Sequence, residues 1–209
     1  MLYKGYYDVV ILPSPRVRDY VIKLSREIRK RSRTRFVLGQ QKFLPHISLY
    51  HVPVKSKDLL KFRTALSSIL TRVKLGTLST TALKRQEGDS IWASINIRKA
   101  SWLKKLHSAI LKGAVKFLDK DFRAAKTWGS HYGSSRQHWN LKRYGSPNVG
   151  PLYRPHITVT SLRDERVRGQ AFFKFIKFKR QSFRVNSISV CQLGAHHTCH
   201  RILFTISKF

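Results

Sequence analysis

Arg154-Pro155-His156-Ile157-Thr158-Val159 has a counterpart far upstream, Pro45-His46-Ile47-Ser48-Leu49-Tyr50. Both read Pro-His-Ile-hydroxyl-apolar, and both lie in β-branched, alternating runs that predict strands. A strand sends successive side chains to opposite faces. His46 and Ser48 therefore share one face, with Ile47 and Leu49 on the other; His156 and Thr158 share a face in the same way, opposite Ile157 and Val159. Alternate strand residues are about 6.6 Å apart, so one phosphate can touch an imidazole and the hydroxyl beside it. The proline before each histidine suits the first position of a strand, where no ladder donor is needed. Occurring once, such a pattern reads as a strand with a partly buried histidine. Occurring twice, it predicts two similar lobes that face each other.

Composition narrows the chemistry. The chain has 209 residues, enough for one domain or two small lobes sharing a core. It is 42% apolar, and its 12 Phe, 8 Tyr and 4 Trp supply material for that core. Lys and Arg number 42 against 10 Asp and Glu, a formal charge of +32. Such a charge attracts polyanions, nucleic acid foremost, without sequence preference. Carboxylates are scarce, with none from Arg166 to Phe209. Mg²⁺ sites rely on oxygen ligands, usually including carboxylates, so a two-metal nuclease is poorly supported and a histidine mechanism without metal fits better. Cys191 and Cys199 alone make no disulfide framework. No apolar run approaches the roughly 20 residues of a membrane span, and Val9-Val10-Ile11-Leu12 is too short for a signal peptide. The expectation is a soluble cytoplasmic protein, with a nuclear address in the basic runs left open, and with no obligatory protein partner in evidence.

The paired His-x-Ser/Thr strands resemble the signature of the 2H phosphoesterase superfamily, which includes RNA 2′,3′-cyclic phosphodiesterases, bacterial RNA 2′,5′-ligases and 2′,5′-oligonucleotide phosphodiesterases. Tyr153-Arg154-Pro155-His156-Ile157-Thr158 is especially similar to the second motif of the ligase/cyclic-phosphodiesterase branch. Outside the motifs, only the order of elements supports the likeness. It implies an α+β fold: two similar lobes, each an antiparallel sheet with outer helices, facing across a central groove. His46/Ser48 and His156/Thr158 would line that groove, one pair per lobe, within a single bilobal domain spanning residues 1–209.

Along the chain, Tyr6 to Leu12 reads as a buried strand. Ser14-Pro15 then opens a helix to about Lys30, with Val17, Tyr20, Val21, Leu24 and Ile28 at helical spacing and a basic opposite face. Lys55 to Arg72 and Lys99 to Leu118 read as amphipathic helices. Leu75 to Arg85 and Ser90 to Ile97 read as paired strands, Trp92 being a core residue in preference to a surface for stacking a base. From Asp121 to Gly150 no periodicity is sustained, and aromatic and basic residues interleave, which reads as an inserted loop. Trp128, Trp139 and Tyr144 offer stacking surfaces for unpaired bases, and Lys126, Arg136, Lys142 and Arg143 offer charge for a backbone. Arg163 to Lys177 reads as a helix, and Ser182–Leu193 with Arg201–Phe209 as a terminal hairpin. The connection Gly194–His200 holds histidines and Cys199, but its spacing matches no common zinc finger, so no metal is expected.

The chemistry follows from residue type. Opening a 2′,3′-cyclic phosphate needs a base for water and an acid for the departing oxygen, and two histidines can hold complementary protonation states near neutrality. Ser48 and Thr158 would donate hydrogen bonds to the phosphate oxygens. Tyr50, Tyr153, Arg154, Trp128 and Trp139 are candidate substrate contacts. The resemblance implies that His156 acts as base and His46 as acid, with a 2′-phosphate as product; the residues alone do not assign the roles. A 2′,5′-phosphodiesterase or ligase, a 3′-end trimming enzyme, and a non-catalytic RNA-binding protein on the same fold are the alternatives.

Overall fold

The structure, a computed structural model, describes residues 2–86, 91–122, 133–163 and 175–208. Strand β1 (Leu2–Ile11) leads into helix α1 (Pro15–Arg31), and β2 (Ile47–Pro53) into α2 (Leu59–Arg72). Then come β3 (Thr77–Gln86), β4 (Ile91–Ile97), α3 (Ser101–Ala114), α4 (Ser135–Tyr144) and β5 (His156–Leu162). Strands β6 (Ser182–Arg184), β7 (Ser187–Gly194) and β8 (Cys199–Ser207) close the chain. Proline in the first turn of α1 leaves no donor unmet. Ser14 makes no side-chain cap; its carbonyl accepts from Arg18 N at 2.9 Å.

The strands form one eight-stranded sheet in the order β6-β3-β4-β5-β2-β1-β7-β8, with every neighbouring pair antiparallel. The two four-stranded halves meet where β2 pairs with β5, so the motif strands are the seam of the sheet. The sheet curls. Only Val185 and Asn186 separate β6 from β7, although these strands lie far apart in the order. Such a link spans at most about 11 Å.

One face of the sheet carries the core. Val9, Ile11, Ile47, Leu49, Ile95, Ile157 and Val159 join Val17, Val21 and Ile28 of α1, Phe62 and Leu66 of α2, and Leu103, Leu106 and Ile110 of α3 in a single buried cluster. Burying each such side chain is worth about 1.5–3 kcal/mol, which holds the helices on that face. The α+β architecture of antiparallel sheet and outer helices is the one expected. Trp92 packs against this cluster, as read from the sequence.

Three local readings change. The segment read as a loop before the second motif contains α4, which Ser134 and Gln137 open with a reciprocal capping box and Gly145 ends in the left-handed conformation (φ 68°). The single strand expected from Ser182 to Leu193 is two, β6 on β3 and β7 between β1 and β8. The helix read over Arg163 to Lys177 falls mostly outside the described residues; Phe175, Ile176 and Lys177, which are described, are not helical.

Candidate active site

The site is built on one register. Ile47 of β2 pairs with Ile157 of β5, and the antiparallel ladder then sets His46 across from Thr158 and Ser48 across from His156. Directly opposed Cβ atoms lie about 4.5–5.5 Å apart. The neighbouring strands extend the rows: Val10 of β1 pairs with Ser48, Asn96 of β4 with His156, and Ser94 with Thr158. Two histidines and two hydroxyl side chains thus share the sheet face opposite the helices.

Both imidazoles are held in the same way. His46 Nδ1 lies 2.7 Å from the Leu44 carbonyl, and His156 Nδ1 lies 2.8 Å from the Arg154 carbonyl. A carbonyl oxygen only accepts, so Nδ1 carries the proton in each ring and Nε2 is the nitrogen left for chemistry. In each case the carbonyl belongs to the residue before the proline, so the Pro-His step makes this turnback twice. Burial pushes the His46 imidazole below the ordinary histidine range, against upward pulls from Asp8 and then the Leu44 carbonyl; His51 adds a smaller downward push. His156 is also pushed down, chiefly by burial. The Arg154 carbonyl opposes this, His46 and His51 add to it, and Asp8 opposes it least. That the charge of His46 is felt at His156 follows from the shared register.

Asp8 and His51 stand beside the motif side chains, and the strand reading missed both. Asp8 is fully buried. Its Oδ2 accepts from Ser48 Oγ at 2.6 Å, lies 2.9 Å from His51 Nε2, and stands 3.6 Å from His46 Nε2. Simple alternation puts His51 on the face away from Ser48. A β-bulge reverses this: Val9 pairs with Tyr50 and Val10 with Ser48, so Leu49 is the extra residue and Leu49 and Tyr50 both enter the core. A matching bulge lies in β5, where Ala93 pairs with Thr160 and Ser94 with Thr158. The repeat read from the two motifs therefore extends to their backbone irregularities.

Side chains from the core side hold the first bulge. His107 of α3 donates from Nδ1 to the Leu49 carbonyl at 2.8 Å, and its Nε2 accepts from Gly150 N at 2.9 Å. The ring stacks on Tyr153 at 3.9 Å between centroids, and the Tyr153 hydroxyl donates to the Ser48 carbonyl at 3.2 Å. Burial, and then the charge of Asp8, push that hydroxyl well above the ordinary tyrosine range. The structure thus places Tyr153 as a prop beneath the motif. Tyr50 is only 1% exposed, and its hydroxyl donates to the Tyr144 carbonyl. Arg154 is exposed beside His156. Trp139, on α4, is 45% exposed, with the Arg136 and Arg143 guanidinium carbons 5.4 and 5.1 Å from its ring. Trp128 lies outside the described residues, as do Lys126 and the residues around it.

The β7–β8 turn brings two further histidines. His196 and His197 both adopt positive φ; His196 stacks on Phe36, and His197 stacks on His51 at 6.0 Å. Cys191 and Cys199 are buried with Val10 and Leu44 in a small second cluster. The two histidines point to different neighbours and the two cysteines to each other, and among the described residues no three His, Cys, Asp or Glu side chains are arranged to hold a metal ion. Nor is any helix among them long and apolar enough to cross a membrane.

No family model matches the chain, and no curated protein matches it by sequence. Solved structures do. TT0787 of Thermus thermophilus superposes with a TM-score of 0.62 at 13% identity, covering 97% of each chain. LigT of E. coli in its apo form superposes with a TM-score of 0.51 at 12% identity, covering 97% of this chain and 96% of that one. The chain shares its fold with these proteins over nearly its whole length.

Proposed function

We propose that this chain is a metal-independent phosphodiesterase of the 2H type that acts on RNA ends, hydrolysing a 2′,3′-cyclic phosphate to a 2′-phosphate. The observation that carries the reading is the paired Nδ1 anchoring, which leaves two Nε2 atoms on one face of the sheet. His156, as base, takes a proton from water through Nε2. The oxygen attacks phosphorus, the P–O3′ bond breaks, and His46 delivers the proton that the departing 3′ oxygen needs. Each such proton transfer typically contributes about 10²–10⁴-fold. The +32 charge supplies attraction for RNA, and Trp139 between Arg136 and Arg143 is the described candidate for stacking on a base beyond the reacting nucleotide. The fold shared with LigT agrees with this reading.

The test is turnover of 2′,3′-cyclic AMP in the presence of EDTA, with the product followed by phosphorus NMR. The reading expects adenosine 2′-phosphate at an undiminished rate. Release of the 3′-phosphate would reverse the bond assignment. Loss of turnover on chelation, restored by a divalent ion, would replace the histidine mechanism. No turnover of this substrate or of a cyclic-phosphate-ended oligoribonucleotide would leave an RNA-binding protein.

A further inference from the structure

The two motifs read alike in sequence, yet among the described residues their surroundings differ in one respect: a carboxylate stands against the first and none against the second. Among the described residues His156 has no ion-pair partner, whereas His46 Nε2 lies 3.6 Å from Asp8 Oδ2. Thr158 Oγ1 makes no hydrogen bond among the described residues, whereas Ser48 Oγ donates to Asp8 at 2.6 Å. Asp8 is one of only 10 acidic residues in a chain of net charge +32, it is fully buried, and its Oδ1 has no hydrogen-bond partner among the described residues. Burying a charge is costly unless it is paired and bonded. A carboxylate kept here therefore calls for positive charge or donors beside it.

The geometry decides what those partners are. His46 Nδ1 is already committed to the Leu44 carbonyl. A neutral His46 would then present a lone pair from Nε2 to the Asp8 carboxylate, which is repulsive; an imidazolium would present N–H, which is attractive. His51 Nε2, at 2.9 Å, donates to the same oxygen, since a carboxylate only accepts. Ser48 has a single hydroxyl proton, and it is committed to the hydrogen bond with Asp8.

We propose that Asp8 makes the two motifs unequal: it is a positioning residue that favours the protonated imidazole at His46 over that at His156 and accepts the hydrogen bond of the Ser48 hydroxyl, leaving Thr158 as the hydroxyl that donates to the phosphate. The inference rests on the paired-histidine reading and assigns a part to a residue outside both motifs. The titratable groups facing His46 are Asp8 from β1, His51 from β2 and His156 from β5. Of these only Asp8 favours the charged form. Its Oδ2 stands 3.6 Å from His46 Nε2, and His156 makes no such contact among the described residues, so it separates the two rings. His51, fixed by the same carboxylate, completes the support.

The experiment is the pH dependence of kcat/KM for 2′,3′-cyclic AMP in the parent and in Asp8→Asn. An acid must be protonated, so activity is lost as pH rises through its pKa. Removing the carboxylate lowers that pKa, and the alkaline limb should move down by about one pH unit or more, the usual effect of a close opposite charge. The acid limb, set by His156, should stay. Unmoved limbs, with only a lower unfolding midpoint, would make Asp8 merely structural and overturn the proposal. Ser48→Ala and Thr158→Ala provide a second arm that does not need Asp8→Asn to fold. Thr158→Ala should lower kcat by about 10²-fold, the scale for losing one donor to a developing charge, and Ser48→Ala by less than about tenfold. Equal losses or the reverse order would overturn the assignment. If His46→Ala and His156→Ala were fully active, the paired-histidine reading itself would fall; if they were inactive while Asp8→Asn kept its alkaline limb, only the part given to Asp8 would.

Discussion

Replacing His107 by phenylalanine tests how the bulge that shapes the site is held. Phenylalanine keeps a flat ring to stack on Tyr153 but removes two hydrogen bonds, to the Leu49 carbonyl at 2.8 Å and from Gly150 N at 2.9 Å. Leu49 is the extra residue of the bulge and is buried, so its carbonyl would lose this partner where little water can replace it. Each unmet buried group costs about 1–3 kcal/mol. Gly150 is only half-buried, so water recovers part of its share. The expected loss is about 2–4 kcal/mol, a large part of the roughly 5–15 kcal/mol that holds a typical domain. In urea this lowers the unfolding midpoint by about 1–2 M, with an unchanged slope. Equilibrium unfolding at pH 7.5, followed by tryptophan fluorescence, measures it. A loss under about 0.5 kcal/mol would refute the view that His107 braces the first motif strand from behind.

Two further outcomes are expected. Trp139→Ala should raise KM for a cyclic-phosphate-ended oligoribonucleotide by about 5- to 150-fold, the range of one lost stacking contact of about 1–3 kcal/mol, and should leave kinetics on the mononucleotide unchanged when both are measured at one salt concentration. Equal effects on both substrates would make Trp139 a folding residue. Stability should fall with acidification below about pH 6.5. Burial depresses His46, His107 and His156 in the folded state, so the unfolded chain binds more protons in that window, and stability rises with pH until about 6.5 and then levels. Each histidine contributes at most about 1.4 kcal/mol per pH unit to that slope, and urea midpoints between pH 5 and 8 measure it.

Much of the fold was readable because its period is regular. Val17, Val21, Leu24 and Ile28 mark the buried stripe of α1, and Ile47 and Ile157 mark the core face of the two motif strands. What escaped was local departure from period. The shift was present in the letters: apolar positions in the first motif strand run Ile47 and Leu49, then switch parity to Tyr50, Val52 and Val54. That switch is the mark of a bulge, and it is what turns His51 toward Ser48. Asp8 was visible as a lone carboxylate in the otherwise apolar run of residues 6–12, but its partners come from the first motif strand, and no local pattern names them. Helix α4 was masked by its interleaved aromatic and basic residues. Its ends were legible all the same, in Ser134 with Gln137 three residues on and in Gly145. The prop formed by His107 and Tyr153 joins residues far apart in sequence through one stack, and only the assembled fold brings them together.

The central claim is that His46 and His156 act as one acid–base pair. It is tested most directly by single-turnover hydrolysis of a 2′,3′-cyclic phosphate by the parent, His46→Ala, His156→Ala and the double variant. The account predicts that each single substitution costs about 10²–10⁴-fold, and that the double variant is little worse than the poorer single one, because removing either partner already breaks the concerted transfer. Full activity in either single variant, or losses that simply multiply in the double variant, would contradict it.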